Sequence, residues 1–160
     1  MITDADCIFC KIVAQTVPTT IIAEDDRVVA FLDTAPATDG HALVIPRSHS
    51  ADLTDIDPDD LAAVARLAQQ LSARMRDRLG ADGVNLLQCS GEAAWQTVFH
   101  FHLHVIPRYG DDARRDRLVA PWTFTPGEPE SIERLAHVLK SSAPASAPAQ
   151  LGPPDVVGEQ

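Results

Sequence analysis

The chain has 160 residues, of which 45% are hydrophobic, and this suits one globular domain with a sizeable core. Its formal net charge is −10, with 13 Lys and Arg against 23 Asp and Glu. Such a charge argues against binding to a nucleic-acid polymer or an anionic membrane, because both need a basic surface. The sequence contains neither an apolar run long enough to cross a bilayer nor a signal-peptide pattern, so we expect a cytoplasmic protein.

The first chemical feature along the chain is a pair of cysteines, Cys7 and Cys10, in a short helical segment predicted at 7–14. In a reducing compartment a C-x-x-C pair indicates a metal or redox site rather than a structural disulfide. The remaining cysteine, Cys89, is most simply a small buried hydrophobic residue.

Short apolar runs predict a β-hairpin from strands at 21–23 and 28–32, with an acidic turn between them. A third strand is predicted at 41–45 and ends at Pro46. Turn-forming residues separate it from the hairpin.

The clearest predicted helix covers 58–79. Asp57 is a good N-cap, Pro58 suits the first helical position and Gly80 ends the helix. Apolar residues at three- and four-residue spacing predict its buried stripe: Leu61, Val64, Ala68, Leu71, Met75 and Leu79.

Beyond this helix we predict a strand at 84–89, a second strand at about 97–106 and a weaker helix at about 129–140. Strands joined by short turns, with one long helix between strand pairs, predict an antiparallel α+β domain over 1–140. Residues 141–160 are rich in Ser, Ala and Pro, which predicts a disordered or loosely docked tail.

Three histidines, His100, His102 and His104, alternate with apolar residues near the middle of the chain. On a β-strand alternate side chains share one face, so the three imidazoles are expected together while the apolar residues face the core. Imidazoles titrate near neutral pH, which suits acid–base, nucleophilic or metal chemistry. The histidines outside this pattern that carry no role here, His41 and His137, are predicted to be ordinary surface or core residues.

Several ordered blocks between Cys7 and Arg108 agree with the pattern of one known protein family. These blocks are Cys7-Ile8-Phe9-Cys10-Lys11-Ile12, Phe31-Leu32-Asp33, Gly40-His41-Ala42-Leu43-Val44-Ile45-Pro46-Arg47-Ser48-His49, Gly91-Glu92-Ala93-Ala94 and Gln96-Thr97-Val98-Phe99-His100-Phe101-His102-Leu103-His104-Val105-Ile106-Pro107-Arg108. On these residues the chain resembles the histidine triad (HIT) family, and most of all its bacterial nucleoside phosphoramidase-like branch. The resemblance implies a five-stranded antiparallel sheet with one long helix and a short C-terminal helix, a homodimer, and nucleotidyl hydrolase or transferase activity.

By this resemblance His102 is the nucleophile, which attacks the α-phosphorus of a purine mononucleotide derivative and forms a covalent nucleotidyl-histidine. His104 is the donor to a phosphate oxygen. The family holds the second ring nitrogen of the nucleophile by a hydrogen bond to backbone near the third histidine. We therefore expect the same bond here.

The resemblance also implies the substrate contacts. Asp33 matches the carboxylate that binds the ribose hydroxyls, although the residue type alone equally suits a turn cap. Gln96 and Thr97 occupy phosphate-contacting positions, and Cys89 stands where the family has an asparagine that contacts phosphate or leaving group. The apolar walls for the base are Phe9, Ile12, Ile22 and Phe31.

In family members with the N-terminal cysteine pair, the ligand set of a zinc ion matches Cys7, Cys10, His49 and His100 of this chain. Two thiolates and two imidazoles form a closed tetrahedral shell, so the expected zinc is structural rather than catalytic. The alternative is a zinc-free cysteine pair, with His49 in contact with the leaving group.

Two positions depart from the family pattern: an asparagine pair is replaced by Cys89-Ser90, and Trp95 replaces a glycine. Both departures bear on substrate preference. They leave open a nucleotide- or partner-binding module with vestigial turnover. A second alternative is hydrolysis or phosphorolysis of dinucleoside polyphosphates, which other branches of the family perform.

Overall fold

A computed structural model describes residues 1–110 and 128–140. Its strands are β1 (Ile21–Glu24), β2 (Val28–Leu32), β3 (Ala42–Pro46), β4 (Gly83–Gln88) and β5 (Leu103–Arg108), and its helices are α1 (Ile8–Val13), α2 (Pro58–Leu79) and α3 (Pro129–Lys140). The strands form one antiparallel sheet in the order β1-β2-β3-β5-β4. The predicted α+β class with a five-stranded antiparallel sheet is confirmed.

The long helix α2 has the ends that the sequence predicts. The Asp57 carboxylate accepts hydrogen bonds from the backbone N–H groups of Asp59 and Asp60, at 2.9 and 3.3 Å. Gly80 ends the helix in the left-handed conformation, at φ +66°. The buried residues of the helix include most of the predicted stripe, whereas Leu79 at its end is exposed.

Both faces of the sheet are covered, because α1 and α2 pack on opposite sides of it. Alternate residues of each strand therefore enter two different apolar clusters. In β2, for example, Val28 and Ala30 pack with α2, whereas Val29 and Phe31 pack with α1. The chain thus has a large core on the α2 face and a smaller one on the α1 face.

The strand that carries the histidines is shorter than expected. We predict a strand from about Thr97, but β5 begins at Leu103, where pairing with Val44 of β3 starts. The preceding backbone is bonded elsewhere, since the Phe101 N–H donates to the Ser50 carbonyl at 2.7 Å. The alternation nevertheless persists through this irregular segment, because Phe101 and Val105 both lie in the α2-face core.

The C-terminal helix predicted at 129–140 is present as α3. The predicted tail at 141–160 lies outside the described residues. Within the two described ranges, no helix is both long enough and apolar enough to span a membrane.

Candidate functional site

Two thiols and two imidazoles meet on the α1 face of the sheet. The Cys10 Sγ lies 3.4 Å from Nδ1 of His49 and 3.6 Å from Nδ1 of His100, and the Cys7 Sγ lies 3.5 Å from the same His100 atom. All four potential ligand atoms lie within 4.8 Å of one another. The structure therefore brings together all four residues that the sequence predicts as metal ligands.

The local fold explains how these four residues meet. Cys7 occupies the N-cap position of α1, and Cys10 lies three positions later. Both thiols therefore lie on the same side of one helical turn. His49 follows the end of β3, and His100 precedes β5, which is the neighbour of β3 in the sheet. The cluster therefore ties the N-terminal helix to two central strands.

The ring orientation of His100 suits a metal ligand. Its Nε2–H donates to the Pro46 carbonyl at 3.0 Å, which leaves Nδ1 with a free lone pair facing the thiols. The side chain is fully buried, and burial lowers the pKa of His100 to about 4, so the imidazole is neutral at physiological pH.

The spacing of the donor atoms also fits a metal ion. Zn–S bonds of about 2.3 Å and Zn–N bonds of about 2.0 Å, in a tetrahedral shell, place neighbouring ligand atoms roughly 3.5 Å apart. The sulfur–nitrogen distances of 3.4 to 3.6 Å agree with this value. The four residues could thus hold a zinc-sized ion in a closed shell.

The backbone carbonyl of His100 also sets the tautomer of the next histidine, His102. The Nδ1–H of His102 donates to the His100 carbonyl at 2.7 Å, which leaves Nε2 of His102 as the atom with a lone pair. The expectation that this bond would be made near the third histidine is corrected, since the acceptor is the carbonyl of the first. Burial lowers the pKa of His102, and the neutral ring is a competent nucleophile.

The third ring, His104, has the opposite hydrogen-bond role because of His41. The Ala37 N–H donates to Nδ1 of His41 at 3.2 Å, so Nε2 of His41 carries the proton. That Nε2–H donates to Nδ1 of His104 at 2.9 Å. The Nε2 of His104 is then protonated and acts as a donor.

The sequence analysis gave His41 no role beyond an ordinary core or surface position, and it missed this contact. His41 lies one residue before β3, beside β5 in the sheet, and its ring centroid is 5.1 Å from that of His104. Its position in the same block as the predicted ligand His49 is the sequence signal that could have identified it.

The histidine rings form one row near a carboxylate, and His104 is its half-buried member. The ring centroids of His102 and His104 are 5.0 Å apart, and Asp33 Oδ2 lies 3.6 Å from Nδ1 of His41. Burial, together with the charges that His102 and His41 would carry if protonated, lowers the pKa of His104 to about 4. Burial also lowers the pKa of His41, against the opposing effect of Asp33. These directions favour neutral rings with fixed tautomers.

A cavity of about 410 Å³ opens beside this row. The predicted site residues that line it are Phe9, Ile12, Phe31, Asp33, Thr97, His102 and His104. Further lining residues that the sequence analysis did not single out are Ile8, Val17, Pro18, Thr19, Leu32, Thr34, Leu43 and Val98.

Asp33 also caps a turn, which is the alternative role that the sequence suggests for it. Its Oδ1 accepts the Ala35 N–H at 2.8 Å. Its other oxygen remains on the side of His41.

Three predicted substrate contacts do not line this cavity. Ile22 packs on the α2 face, where it lines a separate cavity of about 480 Å³. Cys89 is buried, as the simpler interpretation of a small hydrophobic residue predicts.

The third of these residues, Gln96, is buried, and its carboxamide is engaged by the backbone. Its Oε1 accepts the Gly91 N–H at 2.7 Å. Its Nε2 donates to the carbonyls of Ala51 and Val98, at 2.7 and 3.1 Å. Gln96 therefore holds the loop that carries Thr97 into the cavity, rather than pointing into the cavity itself.

Comparison with known proteins identifies relatives for this chain. A model of the HIT domain matches residues 14–111. An adenosine 5'-monophosphoramidase of Schizosaccharomyces pombe is 36% identical over 135 residues, which cover 84% of this chain and 96% of that protein.

Solved structures agree with this result. The crystal structure of a HIT family member from Bacillus subtilis superposes with a TM-score of 0.78 at 34% identity, over 88% of this chain and 99% of that one. A Zn-bound histidine triad family protein from Mycobacterium smegmatis gives a TM-score of 0.65 at 42% identity, over 73% of this chain and 84% of that one.

The anchoring bonds of Gln96 generate a prediction about stability. Gln96→Ala leaves one buried N–H and two carbonyls without this partner, so we expect the free energy of unfolding to fall by about 3 kcal/mol in chemical denaturation. The matched control is Gln70→Ala on the exposed side of α2, which should change stability by less than about 0.5 kcal/mol. Equal, small effects of the two substitutions would refute the anchoring role.

Proposed function

The chain belongs to the HIT domain family, and we propose that it is a nucleotide hydrolase or transferase that cleaves phosphoramidate-type derivatives of a purine mononucleotide at the α-phosphorus. The reaction proceeds through a covalent nucleotidyl-histidine on His102. The observation that carries this proposal is the 2.7 Å bond from His102 Nδ1–H to the His100 carbonyl, because it directs the unprotonated Nε2 away from the backbone. The similarity to an adenosine 5'-monophosphoramidase supports the phosphoramidate class over dinucleoside polyphosphates.

In the proposed reaction the lone pair on Nε2 of His102 forms a bond to phosphorus while the bond from phosphorus to the leaving amine breaks. The amine departs with its electron pair and takes up a proton from solvent water. The Nε2–H of His104 donates to a phosphoryl oxygen, where negative charge increases in the transition state. Water then cleaves the phosphorus–His102 bond, which gives the mononucleotide and restores the imidazole.

The cavity offers surfaces for the rest of the nucleotide. Phe9 and Phe31 meet edge to face, with their ring centroids 5.5 Å apart, and both line the cavity that we assign to the base. Asp33 also lines this cavity and is assigned to the ribose hydroxyls. Thr97 supplies a hydroxyl for the phosphate end.

We assign zinc to the cluster of Cys7, Cys10, His49 and His100. The Zn-bound histidine triad protein from Mycobacterium smegmatis supports this assignment, as does the spacing of the donor atoms. When bound, the ion supplies structural cross-linking rather than Lewis acidity, because four protein ligands fill its shell. His100 then serves as a ligand through its ring and as the acceptor for His102 through its carbonyl.

Two further assignments complete the proposal. A cytoplasmic location suits a site that is built from two reduced thiols. We also propose a homodimer that forms along β4, which lies at the edge of the sheet and exposes 54% of Leu86. An exposed apolar side chain on a strand at the edge of the described sheet favours pairing with a second copy.

The nucleophile is tested with His102→Asn. Adenosine 5'-phosphoramidate and diadenosine polyphosphates are assayed side by side, and we expect the wild-type protein to hydrolyse the former. The substitution should lower kcat at least about 10³-fold, because the covalent route is lost, while calorimetry still detects AMP binding. His137→Asn on α3 is the matched control and should keep full activity. A His102→Asn variant with near-normal turnover would exclude the proposed mechanism.

Zinc is tested by elemental analysis of protein purified without added metal or chelator. We expect about one equivalent per chain, and Cys10→Ser should lose the metal and lower the Tm by roughly 10 °C or more, because metal binding contributes folding free energy. Cys89→Ser changes the buried cysteine outside the cluster and should leave the metal content unchanged. Metal-free wild-type protein with an unchanged Tm in Cys10→Ser would exclude the assignment.

The homodimer is tested by light scattering coupled to size-exclusion chromatography. Wild-type protein should have twice the mass of one chain, and Leu86→Asp should shift it toward the monomer by placing a charge on the paired edge. Leu53→Asp, at another exposed leucine, should leave the mass unchanged. A monomeric wild-type protein would contradict the proposal.

A further inference from the structure

The cavity of about 480 Å³ that Ile22 lines is separate from the histidine row. It opens between the C-terminal end of α2 and the strands β1 and β2, which lie at the sheet edge opposite β4. None of the described residues that line it is a histidine or a cysteine, and Leu32 is the described residue that it shares with the cavity beside His102. The proposed mechanism therefore makes no use of this cavity.

Two leucines that sequence patterns direct toward the core are open at this cavity. In β2, Val28 and Ala30 are fully buried on the α2 face, and Leu32 continues their alternation but is 36% exposed. In α2, Leu79 continues the buried apolar stripe but is 40% exposed. Inward-directed apolar side chains that stay open in a concave site mark a surface that a ligand can cover.

One wall of the cavity is built from tightly packed groups. Gly40 has a φ of +87°, and a Cβ at this position would lie 2.6 Å from Cδ1 of Leu79, so the close approach requires glycine. The Tyr109 hydroxyl donates to the Asp39 carbonyl at 2.6 Å. The cavity is thus preformed by backbone and buried side chains, as small-molecule sites usually are.

Two exposed arginines stand beside the apolar lining. Arg74 and Arg78 line the cavity from successive turns of α2, about 6 Å apart along the helix axis. In the described ranges neither guanidinium has an ion-pair or hydrogen-bond partner, whereas Arg27 and Arg47 both pair with carboxylates. Like charges four residues apart on a helix repel each other, so an anion between the two arginines would be stabilising.

The charge around the cavity is opposite in sign to that of the whole chain. The formal net charge of the chain is −10. At the cavity, Asp39 is the one acidic residue among the described lining residues, so Arg74 and Arg78 leave a formal charge of +1 there. An anionic ligand is therefore attracted to this cavity more than to most of the surface.

We propose that this cavity binds an amphiphilic anion, an aliphatic chain that ends in a carboxylate. The apolar side chains at the cavity are mainly aliphatic, which suits a flexible chain: Ile22, Leu32, Leu71, Met75 and Leu79. A guanidinium group binds a carboxylate with paired N–H donors. The site is independent of the proposed hydrolase activity and lies on the opposite face of the sheet from the metal cluster.

The test follows octanoate binding by NMR of protein labelled with ¹³C at the methionine methyl groups. The chain has 2 methionines, so Met75 reports from the cavity, and Met1, which is 81% exposed, is the internal reference. Octanoate should shift the Met75 signal with a Kd of about 0.1 to 1 mM and give nuclear Overhauser contacts from its chain to that methyl group. The Met1 signal should not move. An unchanged Met75 signal would overturn the inference.

The role of the arginines is tested with three probes of equal chain length. Octanoate should bind about three- to tenfold more tightly than 1-octanol, and octylammonium should bind most weakly. The double variant Arg74→Gln, Arg78→Gln should bring octanoate and 1-octanol to within about twofold of each other. The matched control Arg66→Gln, Arg76→Gln removes the same charge from α2 outside the lining and should keep the full preference. Equal binding of the three probes by wild-type protein, or a preference that survives in the first double variant, would overturn the inference.

A competition experiment excludes binding of octanoate beside His102. Because Leu32 borders both cavities, the octanoate titration is repeated with saturating AMP, which should leave the octanoate affinity unchanged. Displacement of octanoate by AMP would overturn the inference. The Met75 readout requires no turnover, so this inference and the proposed function can fail separately.

Discussion

The chemistry of this site depends on the peptide of one buried residue, His100. Its ring faces the thiols of Cys7 and Cys10, and its carbonyl accepts the Nδ1–H of His102 at 2.7 Å. The bond lies in the interior, where water does not compete for it and where the low dielectric strengthens it. The residue that orients the proposed nucleophile is therefore also the residue that is held by the proposed metal cluster. A disturbance of the cluster therefore reaches His102 through this carbonyl.

The two rings that face the cavity receive opposite roles from the main chain. A carbonyl takes the Nδ1 proton of His102, whereas the Ala37 N–H, acting through His41, leaves His104 with its proton on Nε2. An acceptor nitrogen and a donor nitrogen thus lie side by side on two neutral rings. Burial supports this division, because it lowers the pKa of both rings and keeps them neutral. Tautomers that are fixed by hydrogen bonds would provide the preorganisation that the proposed phosphoryl transfer requires.

The period-two histidines, the capped helix and the cysteine pair were predictable because each depends on local spacing. The role of His41 was not, because it arises from pairing between β3 and β5, which are far apart in the sequence. Ile22 was predicted to line the base site, but it follows Ile21, which pairs with Phe31 on the α1 face, so alternation along β1 places Ile22 on the α2 face. The Gln96 carboxamide was expected at phosphate, but it is satisfied by backbone groups of the neighbouring Gly91 and Val98 and of Ala51, which is distant in the sequence.

The most direct test of this account is the protonation of the imidazole nitrogens, measured by ¹H–¹⁵N NMR of protein labelled at histidine. At neutral pH the account predicts that His102 carries its proton on Nδ1 and that His104 carries its proton on Nε2. Single-site substitutions assign each signal to its residue. A His102 ring with the proton on Nε2, or one that exchanges freely between the two tautomers, would contradict the central role of the His100 carbonyl.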